Sequence, residues 1–422
     1  MQGSTLSLDS ASVSIPNASR TSTERVDLPM RAFAGGYYNN LRAMYDHLGV
    51  NYHSQRFLFE FAKADQQQTT TSSRRDSSYF IHASNMHKLA LPRSSAVATI
   101  FYLVDAVYLL ACYSWFSVCC FLLAPHSMPI AENLDEYLRR IRLPQYFVTY
   151  YLLPLMSSVT TCPHDALLRF PASDLTEYKR RTHGAPHYTV SNGVQTVQDR
   201  LVKGIEYELS VSVESVEPRR SQVKVCWKKL DGNKRSTHEE VFDRVVLAVA
   251  PDIVGQVFQP LRQYMVPIPT TLVESVVHND RTLIGNEQSE EKRLEQDNAQ
   301  LIYLRTSSHG VHRTESLHVQ PCGAIVTTCP YTPVDPTLTI HSAKFTRVLR
   351  SPESKRIIEN IFGDIPEFYS GGKTQPSWKN GDDNVWLVGG WCWDGMVLLE
   401  GCIVSAMRVA DAFDVDVPWR HN

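Results

Sequence analysis

The chain has 422 residues, 43% of them hydrophobic and 20% charged, with a formal net charge of −2 and a pI near 6.7. That length suits two or three domains with sizeable cores, and the composition excludes a disordered chain. The near-neutral charge leaves no footprint for nucleic acid, and cysteines without paired Cys-x-x-Cys motifs exclude the common zinc frameworks and fit a reducing, intracellular compartment.

Residues 1–26 are polar, rich in Ser and Thr, and hold no run expected to form a buried strand. Tyr37 to Val50 reads as a helix with Leu41, Met44, Tyr45 and Leu48 on one face and Gly49 closing it. Residues 65–78 are low in complexity and read as a mobile loop. From Ala106 to Ala124 no residue is charged, and Pro125 ends the run. A spanning helix needs ~20 apolar residues, and a helix apolar all round is either buried in a large protein or set into lipid. The run therefore reads as a partly buried helix dipping into one leaflet, with a true span as the alternative. Either way the expected partners are a membrane, through residues 106–124, and a lipophilic substrate.

Glu132 to Arg142 is helical, and Tyr146, Phe147, Tyr150 and Tyr151 then either fill a core or line an apolar tunnel. His164 beside Asp165 suits an acid–base pair or a structural loop histidine. Val190 to Leu201 is a turn and a helix, Glu208 to Val216 and Val223 to Lys228 alternate as strands, and Asp231-Gly232 suits a hairpin turn. Phe242 to Pro251 reads as a buried parallel strand. Leu272 to Val277, Gln300 to Leu304 and Ala324 to Thr327 are strand-like, and residues 286–298 form a charged, solvated insertion.

The end of the chain is the most informative. Val385 to Val388 is a short apolar run, Gly389, Gly390, Gly395 and Gly401 follow, and apolar residues from Leu399 fall at helical spacing. Strand, glycine-containing turn and helix aim a helix N-terminus beyond the strand's carboxyl end, and the small residues there would let a flat ligand approach the backbone. The bland alternative is an ordinary strand-to-helix connection. This stretch, with its Leu399-Glu400-Gly401 and Ser405-Ala406, resembles the last strand and helix of the flavin-dependent amine oxidase and phytoene desaturase-like superfamily. The resemblance extends to Asp243-x-Val-Val-Leu-Ala-x-x-Pro251 and to Thr160 to Ala172. His278-Asn-Asp280 is similar to a His-x-Asp in flavin oxidoreductases found beside cyclopropane-lipid synthases and in fungal metabolic clusters.

The resemblance implies an α/β chain with a Rossmann-like FAD-binding domain and an interleaved α+β substrate domain. The flavin domain would be residues 1–50, 185–262 and 376–422, and the substrate domain residues 51–184 and 263–375. It places Arg31, Gly35 and Gly36 near the isoalloxazine, and Val213 at the adenine. Gly389, Gly390, Trp391, Gly395, Leu399, Glu400 and Gly401 fall against the flavin and ribitol. Val26 to Arg31 would enter the flavin region. The implied reaction is dehydrogenation of a lipophilic small molecule or amine, with hydride passing to FAD. No residue is assigned as acid, base or nucleophile. One hallmark is missing, since no Gly-x-Gly-x-x-Gly occurs to hold the diphosphate. The expectation is either a preceding strand–glycine turn–helix unit or a dinucleotide site reduced by half, and the rival reading is a non-catalytic, membrane-associated remnant.

Overall fold

The computed structural model describes residues 11–16, 23–29, 32–64, 78–83, 96–127, 131–231, 234–284, 299–307, 312–363 and 378–420. Arg31, the expected loop at 65–77, the turn residue Gly232 and the insertion at 286–298 lie outside them.

The strands in chain order are β1 (Ala11–Pro16), β2 (Thr23–Leu28), β3 (Ala32–Ala34), β4 (Tyr52–Ser54), β5 (Arg56–Ala64), β6 (Ser78–Ala83), β7 (His187–Val190), β8 (Val211–Arg219) and β9 (Gln222–Asp231). There follow β10 (Lys234–Phe242), β11 (Val245–Leu247), β12 (Thr270–His278), β13 (Ala299–Ser307), β14 (Thr314–Val319), β15 (Ile325–Thr328), β16 (Thr339–Val348) and β17 (Val385–Leu387). The helices that matter below are α1 (Asn39–His47), α2 (Ala96–Leu122), α3 (Leu134–Arg140), α4 (Leu153–Thr160), α5 (His164–Leu168), α6 (Ala172–Thr182), α7 (Gln195–Leu201), α8 (Pro251–Val257), α9 (Pro352–Phe362) and α10 (Leu399–Ala412).

A seven-stranded sheet in the order β16-β12-β15-β14-β13-β5-β6 dominates the molecule. It is antiparallel throughout except between β5 and β13, which run parallel. Of its inner strands, β15 has all four residues Ile325 to Thr328 buried, as a strand covered on both faces requires. The ribbon β10-β9-β8 is antiparallel, and the pair β11-β17 is parallel, Val245 opposite Val385 and Leu247 opposite Leu387. Both the ribbon and the pair contribute to one apolar core with α8 and α9, through Val216, Leu247, Val254, Ile358 and Leu387. A separate, larger core unites α1, α2 to α6 and one face of the seven-stranded sheet.

Three expectations need correction. Residues 1–26 do contain strand: β1 pairs with β2, and Ile15, Val26 and Leu28 are buried against Val277, Ala324 and Val326 of the large sheet. Only three apolar side chains of this hairpin are fully buried, with Val13 packed partly against them, too few to stand out in a Ser/Thr-rich composition. For the same reason Val26 to Leu28 does not enter a flavin region; it lies on the large sheet, and the Asp27 carboxylate accepts the Val194 N–H at 3.1 Å. The strand expected at Phe242 to Pro251 shrinks to β11 and is buried on one side only, with Val246 40% exposed. Among the described residues β11 pairs with β17 alone.

Several polar groups in the interior of the large sheet find partners there, although Glu315 Oε1 and His164 Nδ1 are buried without a hydrogen bond. His278 is wholly buried; Asp280 N–H donates to its Nδ1 at 3.1 Å, so Nε2–H faces Thr327 Oγ1 at 2.7 Å. Asp280 in turn caps Thr282 and Asp335 N–H, which makes the His-x-Asp a fold element. His318 is bracketed in the same way by Gln320 and Gln300 at 2.8 and 2.7 Å, and burial pushes its pKa down to about 3. His164, at the start of α5, meets Thr314 Oγ1 at 2.8 Å, and burial, with His312 beside it, lowers its pKa to about 4. Asp165 instead pairs with Arg169 at 2.9 Å on the surface, so His164 and Asp165 are not an acid–base pair; successive residues at a helix start point in different directions.

These depressed histidines fix a pH dependence. Each ring is neutral in the fold but protonates near 6.5 when unfolded, so the stability it contributes is complete above about pH 6.5 and is lost as pH falls toward 4 for His164 and 3 for His318. The slope is at most ~1.4 kcal/mol per pH unit per ring. Denaturant midpoints should fall between about pH 7 and about pH 4.5, and His164→Gln should flatten that fall. An identical slope in the variant would show that His164 does not titrate with unfolding.

Candidate functional site

The expected site residues converge on the connection between β17 and α10. Val388 N–H continues the parallel ladder to Leu247 O at 3.1 Å, after which Gly389 adopts φ +150°, open to glycine, and turns the chain. Its N–H donates to Ser405 Oγ at 3.0 Å, and Ser405, wholly buried in α10, donates on to Gly401 O at 2.7 Å. One hydroxyl thereby fixes the strand's end against the first turn of the helix. Leu398, which precedes α10 in an extended conformation, offers no side-chain cap. The carboxyl ends of a parallel strand pair and an uncapped helix start thus lie together, the place where open α/β sheets bind ligands.

Two buried charges hold this turn. Arg350, 2% exposed just beyond β16, donates from Nη1 to Trp393 O at 2.6 Å and from Nη2 to Trp391 O at 3.0 Å. Its Nε faces Asp174 of α6 at 3.8 Å, and Asp174 also accepts Lys355 Nζ of α9 at 2.7 Å. Glu400, also 2% exposed, reaches back to α1: Oε1 accepts Asn40 N–H at 2.9 Å and Asn40 Nδ2–H at 2.8 Å, and Oε2 accepts Leu41 N–H at 3.0 Å. α1 begins at Tyr38 with no side-chain cap of its own, so Glu400 supplies it from the far end of the chain, where a carboxylate complements the helix dipole. Tyr37, next to the Gly35-Gly36 turn, accepts Met396 N–H at 3.0 Å through its hydroxyl. Burial, with Asp174 nearby, pushes that phenol well above its usual pKa, so it stays a neutral hydrogen-bonding group.

The turn is filled by its own tryptophans. Trp391 donates from Nε1 to Val249 O at 3.0 Å, tying the turn to the β11–α8 loop. Trp393 donates to Met396 O at 2.9 Å, stands edge-on to Tyr37 with centroids 5.9 Å apart, and lies over Gly395 and Gly401. A Cβ on Gly395 would come within 2.5 Å of that indole, and one on Gly401 would meet both the indole and, at 2.7 Å, Gly390 O. On Gly390 it would meet Leu398 O at 3.0 Å. The glycines clear space for the indole and for backbone.

The expected residues therefore divide. Gly389, Gly390, Trp391, Gly395, Leu399, Glu400 and Gly401 do form one unit, and Gly35 and Gly36 lie beside it through Tyr37. Gly35 N–H is engaged by Pro186 O at 2.8 Å, and Gly36, with φ +80°, passes close to Arg181 O of α6. Val213 sits on β8 opposite Trp227 and packs against the core that contains Leu387 and Trp391. Glu400 is a helix cap. Tested against FAD, the scaffold fits: parallel strand ends and an uncapped helix start. The glycine cradle does not fit as it stands, because a flat ring could reach Gly395 or Gly401 only with the Trp393 indole moved aside. Arg350, Asp174, Lys355 and Asn40 were not singled out in the sequence; only a pattern of paired buried charges, invisible without contacts, marks them.

No protein-family model matches the chain, and no curated protein matches it. Among solved structures, the CLA-producing fatty acid isomerase from P. acnes is similar with a TM-score of 0.54 and 10% identity, over 93% of this chain and 88% of that one. A double mutant of putrescine oxidase, from a redesign of cofactor binding, is similar with a TM-score of 0.53 and 10% identity, over 96% of this chain and 91% of that one. At this identity the likeness shows a shared fold: the chain has the mixed helix-and-sheet architecture of these amine oxidase-like structures.

Arg350→Met strands the buried Trp391 and Trp393 carbonyls while Asp174 keeps Lys355, and Glu400→Ala strands the N–H groups at the start of α1, so each should cost ~2–3 kcal/mol. Gly401→Val should lower thermal stability with no ligand present, since a branched side chain there overpacks Trp393. A wild-type melting temperature for Gly401→Val would return that glycine to the role of ligand clearance.

Proposed function

We propose that the chain is a flavoprotein oxidoreductase that binds FAD and dehydrogenates a lipophilic small molecule or amine. The observation that carries this reading is the junction of β11, β17 and α10, where parallel strand ends and an uncapped helix N-terminus face the same place. The shared fold supports it: one similar structure is named for a fatty acid, the other for an amine and for redesigned cofactor binding. FAD, when bound, supplies the hydride acceptor. The chain's residues hold the junction: Arg350 and Glu400 fix the turn, Ser405 sets the helix start against β17, and Tyr37 keeps Met396 N–H from solvent.

A second reading, a cofactor-free remnant of the fold, is favoured by one observation, the Trp393 indole over Gly395 and Gly401. A visible absorption spectrum of the chain fused to a strand–Gly-x-Gly-x-x-Gly–helix unit separates the two. Bound flavin absorbs, whereas a remnant is colourless.

Among the described residues β11 pairs with β17 alone and Val246 is exposed, so a further parallel strand and its helix could pair there. Such a unit, with a Gly-x-Gly-x-x-Gly turn, would hold the diphosphate. Two or three charge-assisted hydrogen bonds at ~1.5–3 kcal/mol each correspond to roughly three orders of magnitude or more in affinity. The 422-residue chain purified by itself is expected to be nearly flavin-free, and fusing a strand–Gly-x-Gly-x-x-Gly–helix unit to its N-terminus is expected to restore FAD and solubility. A soluble, yellow 422-residue chain with stoichiometric FAD would show that the diphosphate is held by other groups.

A further inference from the structure

α2 is a helix with two apolar faces and two different surroundings. Ala106, Leu109, Cys112, Phe116, Cys119 and Cys120 are buried in the large core. The other face is also apolar but uncovered: Val104 is 60% exposed, Val107 67%, Leu110 65%, Val118 47% and Leu122 75%. The stripe runs from Ile100 to Leu123, which at 1.5 Å per residue is ~35 Å long, interrupted by one charge, Asp105. A surface helix normally turns charged groups outward, and contiguous apolar patches of this length mark an interaction surface. About one third of the apolar window at Leu103–Leu122 is buried in the domain, so lying in one leaflet lets the remaining face reach lipid while the buried face keeps its core partners.

The surroundings of the stripe select the occupant. On one side lies the basic end of α6, where Lys179 Nζ donates to Tyr113 Oη at 2.7 Å and lies over that ring, Arg180 and Arg181 follow, and His183 packs edge-on to Phe121. On the other lies the basic end of α3: Arg140 donates to Ala124 O at 3.1 Å, with Arg139 before it and Arg142 exposed after it. Glu177 serves both Arg180 and Arg181, Asp135 pairs with Arg139 and Glu132 with Arg140, while Lys179 is held by neutral partners. Trp115 turns its Nε1–H inward to Ile141 O at 2.8 Å and leaves its ring 49% exposed, and Tyr146 is equally exposed beside Tyr108. An apolar band edged by cations and half-exposed Trp and Tyr is the chemistry of a bilayer interface.

From this we infer that the outer face of α2 is a monotopic membrane-contact surface, lying in one leaflet of a bilayer with anionic headgroups against the ends of α3 and α6. The inference is independent of FAD and would hold for an enzyme or a remnant alike.

The test is sedimentation of the purified full chain with phosphatidylcholine vesicles, with and without phosphatidylserine. Binding to both is expected, tighter with phosphatidylserine, and high salt should weaken only that increment. Val107→Glu and Val118→Glu should each lower the bound fraction about tenfold or more with melting temperature unchanged, whereas Val266→Glu, 80% exposed on another element, should bind as wild type. Failure of the wild-type chain to bind either vesicle, or undiminished binding by the double variant Val107→Glu/Val118→Glu, would overturn the inference. So would a wild-type dimer that these substitutions make monomeric without loss of vesicle binding, since the occupant would then be a second copy.

Discussion

The arrangement around the C-terminal turn depends on the burial of Arg350. A guanidinium taken out of water must have its charge balanced and its N–H groups engaged. Asp174 supplies the balance, and the carbonyls of Trp391 and Trp393 take the two terminal nitrogens. Those three partners lie on α6 and on the turn before α10, while Arg350 itself follows the last strand of the large sheet. Lys355 brings α9 into the same carboxylate. A single buried ion group thus joins the sheet, two helices and the turn, elements that belong to both apolar cores.

Given that clamp, the remaining contacts at the turn become intelligible. Glu400 can reach α1 only because the turn delivers α10 with its first residues facing Asn40 and Leu41. Tyr37 closes the same junction from the other side. The glycines then have to be glycines for packing reasons, because the Trp393 indole occupies the space beside two of them. Parallel strand ends and an uncapped helix start thus come together, while the glycines beside them are covered by a side chain of the chain itself.

The apolar helix shows a similar division of labour. One face of α2 completes the core beneath α3 and α6, and Phe147 and Tyr151, stacked with centroids 6.1 Å apart, extend that core rather than a tunnel. Tyr146, from the same aromatic run, faces outward.

What the sequence determined by itself is what local pattern encodes. The α1 face of Leu41, Met44 and Tyr45, its closure at Gly49, the strands β12, β13 and β15, and the strand–turn–helix at the end all follow from periodicity and from turn residues, and all are observed. The uncharged run at Ala106 to Ala124 could be recognised as a helix with a lipophilic side, though not which side. The tertiary structure alone decided the rest. That β1 and β2 are ordered follows from three side chains meeting the large sheet, and short hairpins gain stability only from such contacts. That Glu400 caps a helix 359 positions away, that His164 turns from Asp165 to Thr314, and that Gly395 and Gly401 serve an indole are all facts of long-range apposition. Spacing along a chain fixes which residues share a face; what that face meets is set by how buried charges and rings find partners when the cores close.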